Sequence, residues 1–171
     1  EYAEALAIYR RLTQKDPNAF EPVVATNLNN IALLHSNARC YSQAEAEYEE
    51  ALAIYRRLKQ QRPDAFEAAT ARILNNLANL HHATRRYAQA EAGYEEGLAI
   101  CRRWVRKSPD VFEPSMVMMV NNLALLHGNT QRYAQAEKEY EEALAICRRS
   151  AQKSTEDFSS DVAMTLLMPA I

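Results

Sequence analysis

The sequence predicts an all-α solenoid built from antiparallel helix pairs, and three observations carry that prediction. The segment YSQAEAEYEEALAIYRRL at 41–58 returns as YAQAEAGYEEGLAICRRW at 87–104 and as YAQAEKEYEEALAICRRS at 133–150, a fixed period of 46 residues. Within each period the apolar residues keep steps of three and four twice over, as two helices would. Each such run ends at a break of turn-forming residues. A unit of this size cannot bury its own apolar face and must stack on its neighbours, so the core is a seam running along an array.

The elements follow in order. EYAEALAIYRRL at 1–12 repeats the second half of the long motif, so residues 1–15 form the second helix of a partial repeat. Full repeats follow at 21–60, 66–107 and 112–152. In the first of them, Val24, Leu28, Ile31, Ala32 and His35 mark the first helix, which ends near Ser36-Asn37-Ala38-Arg39. Ala44, Tyr48, Ala51, Tyr55 and Leu58 mark the second. The connectors carry Asp16-Pro17, Arg62-Pro63-Asp64 and Ser108-Pro109-Asp110, where proline ends one helix, and Pro22 or Pro114 sits in the first turn of the next. Residues 156–171 begin a further first helix through Val162, Met164, Leu166, Leu167 and Met168. Pro169 stands where Leu77 and Leu123 stand, and stops it as a capping helix.

Charge is ordered within the second helices: Glu45, Glu47, Glu49 and Glu50 come early, Arg56 and Arg57 late, and the pattern returns in the later repeats. This complements the helix dipole and reads as solvated, stabilising faces.

Bulk properties narrow the function. A net charge of −2, from 20 Lys and Arg against 22 Asp and Glu, gives no basic footprint for nucleic acid. No apolar run approaches the roughly 18 residues of a membrane helix, and no leader stands at the start, so a cytoplasmic protein is expected. The chain begins at Glu1 inside a repeat, so a piece of a longer protein is expected. Cys40, Cys101 and Cys147 are odd in number and lack metal-type spacing; Cys101 and Cys147 are expected to be buried free thiols. His35, His81 and His127 recur once per period. Spaced about 10 Å apart along stacked helices, they cannot share one metal ion, and each reads as a satisfied packing histidine. With three glycines and no nucleophile, phosphate-loop or metalloprotease motif, no catalytic residue, cofactor or metal is expected.

Leu28, Ile31, Ala32, His35, Tyr41, Ala44, Tyr48 and Ala51 recur as Leu74, Leu77, Ala78, His81, Tyr87, Ala90, Tyr94 and Gly97, and as Val120, Leu123, Ala124, His127, Tyr133, Ala136, Tyr140 and Ala143. This large–small spacing resembles the tetratricopeptide repeat. The NNLA phrase followed by Leu-His, the YAQAE start and the long period are most similar to the kinesin-light-chain type. The usual repeat has about 34 residues; the extra length implies helices of roughly 18–20 residues. His in place of an aromatic or Leu, and Gly97 in place of a packing Ala, depart from the pattern.

The resemblance implies a right-handed superhelical array that works as a protein–protein interaction scaffold, with an extended peptide or partner helix in its concave groove. It assigns to the groove Thr26, Asn29, Asn30, Leu33 and Ser36; then Arg72, Asn75, Asn76, Asn79 and His82; then Met118, Asn121, Asn122 and Leu125. Asparagine offers both an acceptor and a donor, which suits a peptide main chain. The other reading of each Asn pair is that one member bonds the neighbouring repeat and fixes the stacking. Arg72 and His82 are the place where a peptide carboxylate would dock. An alternative function is homotypic assembly, stacking end to end through the array termini at Tyr2, Leu6, Leu166 and Leu167. About half of the positions in 41–86 and 87–132 are identical, so one repeat could replace another at such a junction.

Overall fold

The computed structural model describes residues 2–153. Among them there are helices only: α1 (Tyr2–Thr13), α2 (Pro17–Asn37), α3 (Tyr41–Gln61), α4 (Pro63–Ala83), α5 (Tyr87–Trp104), α6 (Pro109–Asn129) and α7 (Tyr133–Lys153). First helices begin at Pro17, Pro63 and Pro109, second helices at Tyr41, Tyr87 and Tyr133. The expected further helix at 156–171 lies outside the described residues.

The helix starts correct the sequence reading. Proline in the connector opens the next helix instead of ending the previous one: Pro17, Pro63 and Pro109 each stand in the first turn. There the missing N–H would have had no intrahelical partner anyway. Asp16 caps α2 by accepting the Ala19 amide at 3.1 Å. Pro22 and Pro114 therefore lie inside α2 and α6, not in their first turns. Pro22 sits only five residues after Pro17, so the bond it forfeits is to the carbonyl of the exposed Asn18, which water can serve. These earlier starts make α2, α4 and α6 21 residues long, as α3 and α7 are. At 1.5 Å per residue that is about 31 Å.

Each first helix ends in the same turn. Arg39, Arg85 and Gln131 take φ values of 61°, 60° and 61°, and the next amide closes on the histidine carbonyl: Cys40 to His35, Arg86 to His81 and Arg132 to His127, each at 2.8 Å. Glycine is the usual residue in this left-handed position.

The chain divides into two compact units, residues 1–93 and 94–171. In the first, α2 and α3 run antiparallel. His35 meets Glu47, Thr26 meets Tyr55 and Glu21 meets Arg57, so partner numbers fall on one helix as they rise on the other. α4 packs on α3 in the same sense, with the Tyr55 and Phe66 rings 5.8 Å apart. Leu28, Ala32, Ala44, Tyr48, Ala51, Leu74 and Ala78 are buried, small residues alternating with large ones so that the helices approach closely. Burial pushes the Tyr48 phenol up to about 12. In the second unit α6 and α7 pair likewise, His127 meeting Glu139 and Glu113 meeting Ser150. Val120, Leu123, Ala124, Ala143, Ile146 and Cys147 are buried in that unit. Cys101 and Cys147 are buried free thiols, and Cys40 is exposed.

The early glutamates of the second helices do more than face solvent. Glu45 takes both Arg86 nitrogens, at 2.5 and 2.9 Å, and His81 at 3.1 Å. Glu50 takes Arg10 at 2.7 Å, and Glu142 takes Arg102 at 3.0 Å. Each pair joins side chains about 40 residues apart, so charges that looked like a helix-dipole pattern also tie one helix to another.

Candidate functional site

Residues seven apart on a helix return to within about 20° of the same direction. Thr26 and Leu33, Arg72 and Asn79, and Met118 and Leu125 therefore form matching short strips on α2, α4 and α6. Leu33 is 46% exposed, Met118 51% and Leu125 42%; Arg72 and Asn79 are exposed too. Thr26 is half-buried because its hydroxyl shares a 2.8 Å bond with the Tyr55 phenol and donates to the Pro22 carbonyl at 2.9 Å.

The asparagine columns lie deeper. Asn29 and Asn75 are buried, and the Asn29 carbonyl accepts the Asn76 amide at 3.0 Å, across one repeat. The Asn29 amide in turn donates to Asn30 at 3.3 Å. In the first unit this column thus fixes stacking, the second of the two readings of the Asn pairs. Asn30, Asn76, Asn121 and Asn122 are half-buried, and the Asn121 side-chain oxygen has no hydrogen-bond partner among the described residues.

Ser36 and His82 are half-buried at the C-terminal ends of α2 and α4. The His82 ring lies 5.7 Å from that of Tyr87, and burial lowers its pKa from 6.5. His82 is therefore neutral at pH 7, which leaves Arg72 as the cation of the expected carboxylate dock. Arg72 is in fact the only Lys or Arg on α2, α4 and α6, and it makes no ion pair with a described residue. The same helices carry Asp64 and Asp110 in the first turns of α4 and α6, and beyond these only Glu21, Glu67 and Glu113. Those three are held: Glu21 by Arg57 at 2.7 Å, Glu67 by Lys59 at 3.0 Å, and Glu113 by the Ser150 hydroxyl. The strips are thus acid-free, partly apolar and, on α4, cationic.

Of the proposed assembly residues, Leu6 is half-buried on α1; the Tyr2 side chain, Leu166 and Leu167 fall outside the described residues. Neighbouring Ile8 is 56% exposed, whereas Ile54, Ile100 and Ile146 at the same repeat position are buried. Sequence reasoning did not single out Ile8, although its place in the repeat alignment marked it as a packing residue.

The three histidines are each occupied: His35 by Glu47, His81 by Glu45 and His127 by Glu139. No three His, Cys, Asp or Glu side chains among the described residues are placed to hold a metal ion. No described helix is long and apolar enough to cross a membrane.

Comparison with known proteins agrees with this architecture. Residues 23–103 match one family model described as tetratricopeptide repeat, and residues 118–153 match a second with the same description. The crystal structure of BtubC (BKLC) from P. vanneervenii, a kinesin-light-chain-like repeat protein, superposes with a TM-score of 0.71 at 25% identity. The match covers 96% of this chain and 59% of that one. No curated protein matches significantly in sequence.

Proposed function

Because the chain belongs to the tetratricopeptide repeat family, we propose that it is a non-enzymatic interaction module that holds an extended peptide or partner helix on the exposed strips of its first helices. The observation that carries this reading is the strip on α4. The Arg72 guanidinium, without an ion pair among the described residues, stands two turns from the exposed amide of Asn79, with no carboxylate on that part of the helix. An arginine offers a fixed fork of donors to a carboxylate, and an asparagine serves main-chain groups whatever the sequence. In the same unit, the exposed Leu33 on α2 adds apolar contact for a neighbouring side chain. The preferred ligand is therefore a peptide with an acidic residue beside apolar ones. A protein partner is favoured over nucleic acid by the net charge of −2. The reducing cytoplasm is the proposed location, which suits three free thiols.

The test is selection from a displayed random-peptide library. Wild type should enrich acidic peptides with apolar flanks, and Arg72→Glu should lose or invert that enrichment while keeping its helical circular dichroism. The same peptides emerging from both proteins would remove Arg72 from the site.

A second reading, homotypic assembly through the array ends, is supported by the likeness of successive repeats, about half of whose positions are identical between 41–86 and 87–132. Light scattering decides it: mass that climbs with concentration, and falls back on Ile8→Gln, supports assembly.

A further inference from the structure

Two clefts occupy the same place in the repeat. One lies in the first unit where α1 ends, α2 begins and α3 ends; Thr13, Glu21, Val24, Ile54 and Arg57 contribute to it. Two repeats later, in the second unit, Val105, Glu113, Met116, Ile146 and Arg149 hold the corresponding positions. Their charge balance differs. In the first cleft Arg57 is neutralised by Glu21 at 2.7 Å. In the second, Ser150 has replaced the leucine of position 58, and its hydroxyl bonds Glu113. Arg149 is left with no ion-pair partner among the described residues. Arg106 joins the lining where glutamine stands at positions 14 and 60, and it too is unpaired there. The floor is also more apolar, with valine for Thr13 and methionine for Val24.

We propose that this cleft of about 290 Å³ is a second ligand site, taking a partner peptide that presents a carboxylate beside an aliphatic side chain. Arg106 and Arg149, both exposed, grip the carboxylate. The aliphatic group packs on Met116 and Ile146, both buried beneath. Two guanidiniums at the mouth of a low-dielectric pocket strengthen a charge-assisted bond that open water would weaken. The departure from the repeat argues for ligand binding in place of structural service. The first-unit cleft balances Arg10 and Arg57 with Glu50 and Glu21, whereas the second sets Arg106 and Arg149 against Glu113 alone and so keeps an excess of positive charge.

The experiment uses the whole chain with methyl-labelled Met and Ile, titrated with the synthetic peptide acetyl-Leu-Glu-Val-Glu-Leu-amide and with its Gln isostere. The Glu peptide should shift the Met116 and Ile146 methyls and not that of Ile54 in the neutral cleft. The Gln isostere should bind at least tenfold more weakly. The double variant Arg106→Gln, Arg149→Gln should abolish the shifts, while Arg57→Gln and Arg72→Gln leave them unchanged; the Arg72 control separates this site from the proposed groove. Three outcomes overturn the proposal. They are Met116 and Ile146 methyls that do not respond, equal binding of both peptides, and shifts that appear only after Glu156→Gln and Asp157→Asn, which would mean that the chain's own acidic tail occupies the cleft.

Discussion

His81 on α4 bonds back to Glu45 on α3 at 3.1 Å, whereas His35 and His127 bond forward, to Glu47 and Glu139 on the helix that follows, at 2.8 and 2.7 Å. Position 93 explains the exchange: glycine stands there in place of the glutamates at 47 and 139. The histidine of the middle repeat has no forward carboxylate and joins Arg86 on Glu45, so that one pairing within a repeat becomes a tie between repeats.

Gly93 also permits close approach. A Cβ added there would meet the Ala78 Cβ at 3.0 Å. Gly93→Ala gains about 1 kcal/mol of helix propensity but overpacks a contact whose partner methyl is fixed to a helix backbone, at a cost of about 1–3 kcal/mol. A net loss of stability is expected in urea denaturation. Ala78→Gly in the same background should recover part of it. Strict additivity of the two changes would remove the contact as the cause.

Glu45 and Glu139 should give opposite pH dependence. The Arg86 guanidinium holds the Glu45 carboxyl below its ordinary 4.5, against the effect of burial. Its contribution is full above the unfolded value and is lost as pH falls through the folded one. Burial raises Glu139, against the His127 bond. The folded state therefore binds that proton more tightly, and this group's contribution is lost as pH rises through its folded value. Glu45→Gln should flatten the loss of stability on acidification, and the difference between Glu139→Gln and wild type should grow with pH. Denaturation midpoints from about pH 3 to 6 decide both, and parallel curves would refute the assignments.

The repeat, the helix pairs and the buried columns were legible because burial imposes spacing on a sequence: Leu28, Ala32, Ala44, Tyr48 and Ala51 could be placed without coordinates. Helix starts were misread at Pro17 and Pro109, since an Asp-Pro or Ser-Pro step fits either the end of one helix or the start of the next. The depth of Asn29 and Asn75 was also hidden. A residue 100° from the packing face is half-exposed on a lone helix, and only the neighbouring repeat, bringing Asn76 to Asn29, covers it. Partners such as Arg86 and Glu45 lie 41 residues apart, beyond any helical period.

Asn76 and Asn79 should separate stacking from binding. Asn76→Ala strips the buried Asn29 carbonyl of its donor, a loss of about 1–3 kcal/mol. Asn79→Ala, on the exposed strip, should change stability by less than about 0.5 kcal/mol and yet weaken peptide capture. Thermal melts beside peptide titrations measure the two effects. Equal melting of both variants, or unimpaired capture by Asn79→Ala, would break the division.

Arg39 holds a left-handed backbone at φ 61° on an exposed turn. Arg39→Gly relieves about 1–2 kcal/mol of steric cost, offset in part by the freedom glycine gains when unfolded. A net gain of about 0.5–1 kcal/mol is expected, raising Tm by about 1–4 °C. Gln43→Gly, on an exposed helical stretch of α3, should instead lose about 1 kcal/mol. If both glycines destabilise alike, the turn is not strained.

Two of the three cysteines, Cys101 and Cys147, should report on the second unit alone. Cys40, exposed just before α3, should react with a chromogenic thiol reagent at once. Cys101 and Cys147 both lie in the unit formed by residues 94–171. Both are buried, and burial pushes the Cys101 thiol up to about 11, so at pH 8 it is almost wholly protonated as well as shielded, and the thiolate is the reactive form. One equivalent of fast reaction is expected in native buffer. The other two should follow together, at the rate at which that unit opens, and rise together with urea. A Cys40→Ser variant should remove the fast phase and leave the slow pair unchanged. If Cys101 instead reacted well ahead of Cys147 in native buffer, α5 and α7 would open independently, and residues 94–153 would not form one cooperative packing unit.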